Sequence, residues 1–325
     1  MKNAVILSTG SYIPETMIRN EELTQFPQSA LSLIAEKTGV ESRYHASEDQ
    51  CTSDLAVLAA RNCLNKVSFP PEDLDGIIVS TSSPDRMQPA TATRVQHLLE
   101  AKKAFAFDIN SVCSGSTYGI SVADAFMKTG RYENILFVAA ELYSKILNKK
   151  DFSTFPYFGD AAGAILFRAG DDREGVLHSC LKTDGSRADV ICVPGGGTMM
   201  PFEKISKPVS AYFKMNGKIV FSFAIEKGSE IILQVLEEAG ASLRDVNCFI
   251  CHQANINIIK AIAEKTEMPL KRFFVNLNRY GNTASASVPV ALDEAISQGV
   301  IAKGDLIVTA AFGGGLSWGA NLIRL

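Results

Sequence analysis

The sequence predicts an α/β protein, on two observations. Short runs of β-branched and aromatic residues alternate with segments whose apolar residues recur at helical spacing. The chain also repeats itself, because four segments of its first half reappear in the same order about 170 residues later. The alternation favours a mainly parallel sheet flanked by helices, and the repeat favours two such units. We therefore expect two halves, residues 1–170 and residues 171–325.

The predicted elements follow in chain order from these patterns. A short apolar run after Lys2 predicts a first strand. Further strands are predicted at residues 75–81, 104–109, 135–140, 162–167, 248–251, 273–275 and 306–310. Helices are predicted at residues 53–64, 116–128, 220–239, 256–265 and 288–298.

The internal repeat suggests how distant residues meet. Segments 75–80, 105–110, 123–130 and 133–140 resemble segments 247–252, 273–278, 292–299 and 304–311. Any one pair could arise by chance, but four pairs in the same order are harder to dismiss. If the halves pack about a pseudo-two-fold axis, equivalent strand ends face one cleft.

Composition excludes several classes of protein. With 325 residues, 46% hydrophobic and 21% charged, the chain has the make-up of a globular protein, and its net charge of -3 gives no reason to expect nucleic acid. No uncharged apolar stretch reaches the ~20 residues of a membrane span, and the N-terminus lacks the apolar core of a secretory signal. Seven cysteines at irregular spacing then predict reduced thiols and a cytoplasmic location.

The segment Cys248-Phe249-Ile250-Cys251-His252 matches the spacing of a haem-attachment or redox motif. However, it reads as a short strand, in which Cys248 and Cys251 point to opposite faces. We therefore expect both cysteines to be buried and structural.

Three residues are candidates for chemistry. Cys113 follows a predicted strand and opens a predicted helix, where unpaired amides and the helix dipole favour a thiolate. His252 ends a predicted strand of the second half, and from the residues alone its catalytic and structural interpretations carry equal weight. Asn282 lies in a turn nearly equivalent to that of Cys113. A pseudo-two-fold would bring the three into one cleft.

Several strings together resemble β-ketoacyl-acyl carrier protein synthase III, in the family's order and over essentially the whole chain. They include residues 112–115 (VCSG), 252–255 (HQAN), 280–285 (YGNTAS) and 311–319 (AFGGGLSWG). The resemblance implies the thiolase fold, a duplicated five-layered αβαβα arrangement with two mixed sheets, in a homodimer. Residues 158–164 (FGDAAGA) also match, and we expect them to serve tight packing rather than direct chemistry.

The resemblance also implies a reaction and residue roles. Cys113 would take an acyl group from acyl-CoA, and the acyl-enzyme would condense with malonyl-acyl carrier protein as CO₂ is lost. His252 and Asn282 would donate hydrogen bonds to the enolate, while the amides of Cys113 and Gly314 would form an oxyanion hole. Decarboxylation drives carbanion formation, so the scheme requires no metal or redox cofactor.

The resemblance further assigns substrate binding to Lys37, Gln88, Asn255 and Phe312. Asn255 would contact the pantetheine arm, and Gln88 would shape the acyl pocket across the dimer interface. Four positions depart from the family pattern: Leu33 replaces a tryptophan, Gln88 a phenylalanine, and Lys37 and Asn257 each an arginine. Lysine at position 37 weakens bidentate recognition of phosphate. With Asn257, carrier recognition would pass to other cations such as Lys214, Lys218 or Lys260.

These departures predict an acyl donor other than acetyl, in fatty acid initiation or a specialised pathway. Two alternatives stay open. One is an acyltransferase of the same fold that passes the acyl group to oxygen or nitrogen without decarboxylation, and the other is a scaffold without activity.

Overall fold

Two mixed β-sheets form the framework of the computed structural model, which describes residues 2–325. The strands are β1 (Asn3–Tyr12), β2 (Thr16–Arg19), β3 (Ser42–His45), β4 (Gly76–Ser80), β5 (Phe105–Ile109), β6 (Asn134–Glu141), β7 (Ala161–Gly170), β8 (Gly175–Thr183), β9 (Ile191–Cys192), β10 (Lys214–Met215), β11 (Cys248–Cys251), β12 (Leu306–Gly313) and β13 (Ser317–Arg324). The α-helices are α1 (Gln28–Thr38), α2 (Thr52–Asn65), α3 (Thr91–Leu98), α4 (Gly115–Lys128), α5 (Gly217–Glu238), α6 (Ile256–Lys265), α7 (Leu277–Tyr280) and α8 (Ser287–Ser297).

The two sheets have matching strand orders. The first runs β1-β7-β6-β4-β5 and the second runs β8-β13-β12-β11. Strands β4, β5 and β6 are parallel, as are β11 and β12, whereas β7 and β13 run antiparallel to their neighbours. The duplication is therefore visible, because the four strands of the second sheet repeat the order and directions of β1, β7, β6 and β4. The boundary at residue 170 stays a prediction.

Side chains along the central strands alternate between the two faces of each sheet, so the core is divided into layers. In β4, Val79 packs in a cluster with α2 and α3, whereas Ile78 packs in a cluster with α4 and α8. In β11, Ile250 faces the same α4–α8 layer and Phe249 faces α5 and α6. Two sheets thus enclose α4 and α8 and are covered by helices outside. The predicted five-layered αβαβα thiolase fold is confirmed.

The same alternation separates the two cysteines of β11. Cys248 lies in the cluster around α4 and α8, and Cys251 lies in the outer cluster with α5 and α6. Both thiols are buried and free. The strand geometry expected from the sequence is confirmed here.

Over residues 2–325, no helix is both long and apolar enough to cross a membrane.

The strand predicted at residues 273–275 is wrong. Phe273 forms only an isolated parallel bridge with Phe249, in the position that β5 takes beside β4. The side chain of Gln253 explains the interruption, because its Nε2 donates to the carbonyl of Phe274 and its Oε1 accepts from the amide of Asn276. A side-chain amide therefore takes hydrogen bonds that a strand ladder would otherwise use.

The equivalence predicted between the Cys113 and Asn282 turns also needs correction. Val112 and Ala284 both have a φ of 47°, and each opens a short 3₁₀ turn that leads into a central helix. Few residues other than glycine adopt this left-handed conformation, so the shared strain marks the equivalent positions. The counterpart of Cys113 is therefore Ser285, one residue after Ala284.

Candidate active site

A cavity of about 260 Å³ receives the ends of elements from both halves of the chain. Its lining includes six of the eight predicted site residues: Lys37, Cys113, His252, Asn255, Asn282 and Phe312. The remaining two, Gln88 and Gly314, are not among its lining residues. The structure thus brings together a thiol, an imidazole and a carboxamide that lie far apart in the sequence.

The turn before α4 places Cys113 at the cavity. Within this turn, Ser114 Oγ donates to the carbonyl of Ser111 at 2.7 Å. Ser114 Oγ also lies 2.7 Å from Ser317 Oγ, and this contact joins the turn to the segment that follows β12. Residue 313 must be small, since a Cβ there would lie 2.7 Å from the amide nitrogen of Cys113. The thiol therefore sits against the glycine-rich turn that includes Gly314.

The environment of Cys113 differs from the thiolate-favouring site expected from the sequence. The side chain is buried, with only 6% of the residue exposed, and burial raises the pKa of its thiol. The carboxylate of Glu141 raises that pKa further, and the Cys113 backbone amide opposes both effects. The thiol is consequently neutral in the free enzyme.

Glu141, at the end of β6, is fully buried beneath this region. Its carboxylate accepts hydrogen bonds from Ser83 Oγ and Ser285 Oγ, both at 2.7 Å, and from the amide of Ser82. Burial raises the pKa of Glu141, while these donors oppose the rise. Because Ser285 belongs to the second half, the carboxylate joins the two halves below Cys113.

His252 follows β11 and is held by α8. Ser287 Oγ lies 2.7 Å from its Nδ1 and also accepts from the amide of Gln253 at 3.3 Å. In the tautomer that carries its proton on Nε2, the ring accepts the Ser287 hydroxyl proton at Nδ1 and keeps Nε2–H free to donate. Burial lowers the pKa of His252 to about 3, so the imidazole is neutral. The site offers a neutral N–H donor rather than a charged one.

Asn282 has its orientation fixed by the backbone. Its side-chain Oδ1 accepts from the backbone amide of Ala284 at 2.9 Å. Its backbone amide donates to the carbonyl of Tyr157 at 2.8 Å. The carboxamide oxygen is thereby occupied, and Nδ2 is the group left to donate. His252 and Asn282 thus present two N–H donors to one cavity.

The residues Lys37, Asn255 and Asn257 form a rim where α1 meets α6. Asn255 caps α6, because its Oδ1 accepts from the amide of Asn257 at 2.8 Å. The Nδ2 atoms of Asn255 and Asn257 donate to the carbonyl of Lys37, at 3.2 Å and 2.8 Å. Asn257 therefore stabilises the end of α1. Both side-chain amides bond the backbone carbonyl of Lys37, so neither of them holds its exposed side chain.

Aromatic rings form one wall of the cavity. Phe158 and Phe213 line it, with ring centroids 5.3 Å apart, and Phe312 packs edge-on against His252 at 5.5 Å. Phe158 was expected to serve packing, and its buried ring does so while it also lines the cavity. Behind this wall, Tyr143 stacks on Phe158 at 4.9 Å, and its hydroxyl lies 2.9 Å from Ser82 Oγ.

The position of Gln88 is different. It is exposed in the loop between β4 and α3 and does not reach the cavity of its own chain. Leu33, on α1, is 37% exposed and also lies outside the cavity lining.

Sequence reasoning missed Ser287, Tyr143 and Phe213 as members of the site. Ser287 opens α8 in a position that matches Gly115 of α4, counted from the strained residues Ala284 and Val112. That repeat was the one available signal for Ser287. Tyr143 and Phe213 carry no such signal, because only tertiary packing places them beside Phe158.

Comparison with known proteins agrees with the fold. Residues 107–185 match the family described as 3-oxoacyl-[acyl-carrier-protein] synthase III, and residues 236–325 match its C-terminal part. A β-ketoacyl-[acyl-carrier-protein] synthase III from Clostridium perfringens is 40% identical over 100% of both chains. One from Caldanaerobacter subterraneus is 42% identical over 99% of this chain and 97% of the relative.

Among solved structures, 3-oxoacyl-[acyl-carrier-protein] synthase III from Aquifex aeolicus superposes with a TM-score of 0.91. It is 37% identical and the match covers 99% of this chain and 100% of that one. Fold and sequence together define an acyltransferase of the thiolase fold. More narrowly, the chain belongs to the β-ketoacyl-acyl carrier protein synthase III family of condensing enzymes in fatty acid biosynthesis.

Proposed function

We propose that this chain transfers an acyl group from acyl-CoA to Cys113 and then condenses it with malonyl-acyl carrier protein, with loss of CO₂. The observation that carries the proposal is the convergence of Cys113, His252 and Asn282 on one cavity. A thiol supplies the acyl carrier, and two N–H donors supply the stabilisation that an enolate needs.

In the first step, Cys113 Sγ attacks the thioester carbonyl of acyl-CoA. The new C–S bond forms as the bond to the CoA sulfur breaks, and the thiol proton passes to the departing CoA. Charge develops on the carbonyl oxygen, where the amides of Cys113 and Gly314 would stabilise it. In support, neither amide donates to a backbone carbonyl in the turn and loop hydrogen bonds of residues 2–325.

In the second step, the malonyl carboxylate leaves as CO₂ and its bonding electrons form an enolate. The Nε2–H of His252 and the Nδ2–H of Asn282 would donate to the enolate oxygen. Each such donor is worth roughly 10²–10³ in rate. The enolate carbon then attacks the acyl carbonyl, and Cys113 Sγ leaves as a thiolate that recovers a proton from solvent.

We assign the binding of the pantetheine arm to the rim of the cavity. The cavity lining includes three groups of different chemistry: the amide of Asn255, the cation of Lys37 and the aromatic ring of Phe312. Lys37 would face the phosphates of CoA. Lys218 at the start of α5 and Lys260 on α6 are further cations for an acidic carrier, together with Lys214 on β10.

We infer a homodimer formed along β5. This strand is at the edge of its sheet, and its residues Phe105 and Phe107 are only half-buried. The loop carrying Gln88 begins beside β5, where the amide of Thr81 donates to the carbonyl of Ile109 at 3.2 Å. A copy paired along β5 would therefore meet Gln88, consistent with a role in the partner's acyl pocket.

All seven cysteines are free, which fits a cytoplasmic location.

The experiment that tests the proposal is measurement of CO₂ and β-ketoacyl product from acyl-CoA and malonyl-acyl carrier protein. We expect one CO₂ for each product formed. Acyl transfer to an acceptor without CO₂ would instead establish the non-decarboxylating acyltransferase.

A further inference from the structure

A cluster of three different metal-binding groups lies outside the active-site cavity. His178 and Cys180 are alternate residues of β8, so both side chains point to the same face of the sheet. Glu238 ends α5, which packs on that face. Its Oε2 lies 2.8 Å from His178 Nε2 and 3.2 Å from Cys180 Sγ. The three ligand atoms all lie within 4.8 Å of one another.

A second side chain of α5 holds the carboxylate of this cluster in place. Gln234, one turn earlier on α5, donates from Nε2 to Glu238 Oε1 at 2.6 Å. That bond leaves the second oxygen, Oε2, to face His178 and Cys180 of β8. The last carbonyls of α5 add partial negative charge, which favours a cation at this end of the helix.

We propose that His178, Cys180 and Glu238 form a binding site for Zn²⁺, with water as the fourth ligand. One imidazole nitrogen, one thiolate and one carboxylate suit a borderline-soft ion that prefers tetrahedral coordination. The thiolate disfavours Mg²⁺ and Ca²⁺, which take oxygen ligands. The side chains of His178 and Glu238 are 34% and 45% exposed, so solvent can reach the fourth position.

Binding exchanges a proton for the metal. The Zn–S bond forms as the S–H bond of Cys180 breaks, and the proton passes to solvent. The Zn–N bond forms at Nε2 of neutral His178, whose ring proton is then carried on Nδ1.

The site would join an edge strand to a long helix. β8 has no further strand beyond it in its sheet, and α5 carries Gly217 and Val220 of the active-site lining at its opposite end. None of the three ligands lines the cavity. The metal would therefore act as a structural clamp, separate from the condensation chemistry.

The test is titration of the Cys113→Ser enzyme with Co²⁺ alone, a spectroscopic substitute for Zn²⁺. Removing the active-site thiol prevents Co²⁺ from binding between Cys113 and His252. We expect one Co²⁺ per chain, a thiolate-to-cobalt charge-transfer absorption in the near ultraviolet, and displacement by Zn²⁺. Adding Cys180→Ser should abolish that absorption, and adding His178→Gln or Glu238→Gln should weaken Co²⁺ binding at least tenfold.

Cys192→Ser is the control, because Cys192 is a free thiol that lies outside the cluster. It should leave the titration unchanged. The proposal is overturned if no charge-transfer absorption develops, or if the absorption survives Cys180→Ser. His178→Gln changes only a partly exposed side chain, so unaltered Co²⁺ binding in that variant would also overturn it.

Discussion

The hydroxyl of Ser287 lies 2.7 Å from Nδ1 of His252 and orients the imidazole across 35 residues of sequence. In the Nε2–H tautomer this hydroxyl donates to Nδ1. The donor that we assign to the enolate is then held by Ser287, a residue outside the cavity lining.

Replacing Ser287 by Ala should slow CO₂ release while leaving acylation of Cys113 near its normal rate. Loss of one hydrogen bond of about 1 kcal/mol predicts a five- to tenfold decrease. The two half reactions would be measured separately, by CO₂ release and by the mass of the acylated peptide. Ser297→Ala is the control, because its hydroxyl bonds only the carbonyl of Asp293 in the same helix. Equal slowing of both half reactions would argue against an orienting role.

Asn282→Ala should affect the second half reaction more strongly. Its Nδ2–H is assigned to the enolate oxygen, so its removal should lower the rate of CO₂ release by roughly 10²–10³. Acyl transfer from acyl-CoA to Cys113 should persist. Asn62→Ala, on the exposed face of α2, provides the comparison. An unchanged rate of decarboxylation would remove Asn282 from the mechanism.

Burial of neutral His252 predicts a pH dependence of stability. Its folded pKa of about 3 lies below the unfolded value near 6.5, so the unfolded chain binds the extra proton between these limits. This contribution to stability is complete above pH 6.5 and is lost as pH falls toward 3. At pH 5 the loss amounts to about 2 kcal/mol.

Urea unfolding at pH 7 and pH 5 measures that loss. His252→Gln should lose less stability than the parent between the two values, whereas His97→Gln, at an exposed position, should lose as much as the parent. Identical losses in the parent and His252→Gln would show that His252 is not buried as a neutral group.

Tyr143 predicts the range of acyl groups. Its ring packs behind Phe158 and Phe213, at 4.9 Å and 5.2 Å, so Tyr143→Ala should open space beyond that wall. We expect the rate with longer acyl-CoAs, relative to acetyl-CoA, to rise about tenfold. A tenfold change in this ratio of rates corresponds to about 1.4 kcal/mol. Burial of two further methylene groups of the acyl chain supplies about that much.

Tyr143→Phe controls for this change, because it keeps the ring and loses only the hydroxyl near Ser82. Its acyl preference should match that of the parent. If Tyr143→Ala also keeps the parent preference, the acyl pocket is set elsewhere, and Gln88 becomes the residue to vary.

Much of the fold was predictable because the central strands are mostly apolar. Strands β4, β6 and β12 are buried on both faces, and their sequences show it as near-continuous apolar runs. Strand β8 was missed because His178, Ser179 and Lys182 interrupt its apolar pattern. Strand β13 was missed because Gly319 and Asn321 are poor strand formers, which pairing on both sides overrides.

The site was predictable only in part, for a physical reason. Strand ends and the repeat indicated Cys113 and His252, and the family resemblance supplied their roles. The neutral thiol could not be foreseen, because desolvation and the buried charge of Glu141 arise from tertiary packing. The same holds for Ser287, whose contact with His252 joins two elements of the folded chain.

The most direct measurement of the central claim follows Cys113 through both half reactions. The enzyme would be incubated with an acyl-CoA and digested, and the peptide containing Cys113 would be weighed before and after malonyl-acyl carrier protein is added. We predict acylation of Cys113 alone, followed by loss of the acyl group with one CO₂ and one β-ketoacyl product, and no product from Cys113→Ala. Normal product formation by Cys113→Ala, or acylation at another cysteine, would contradict the account.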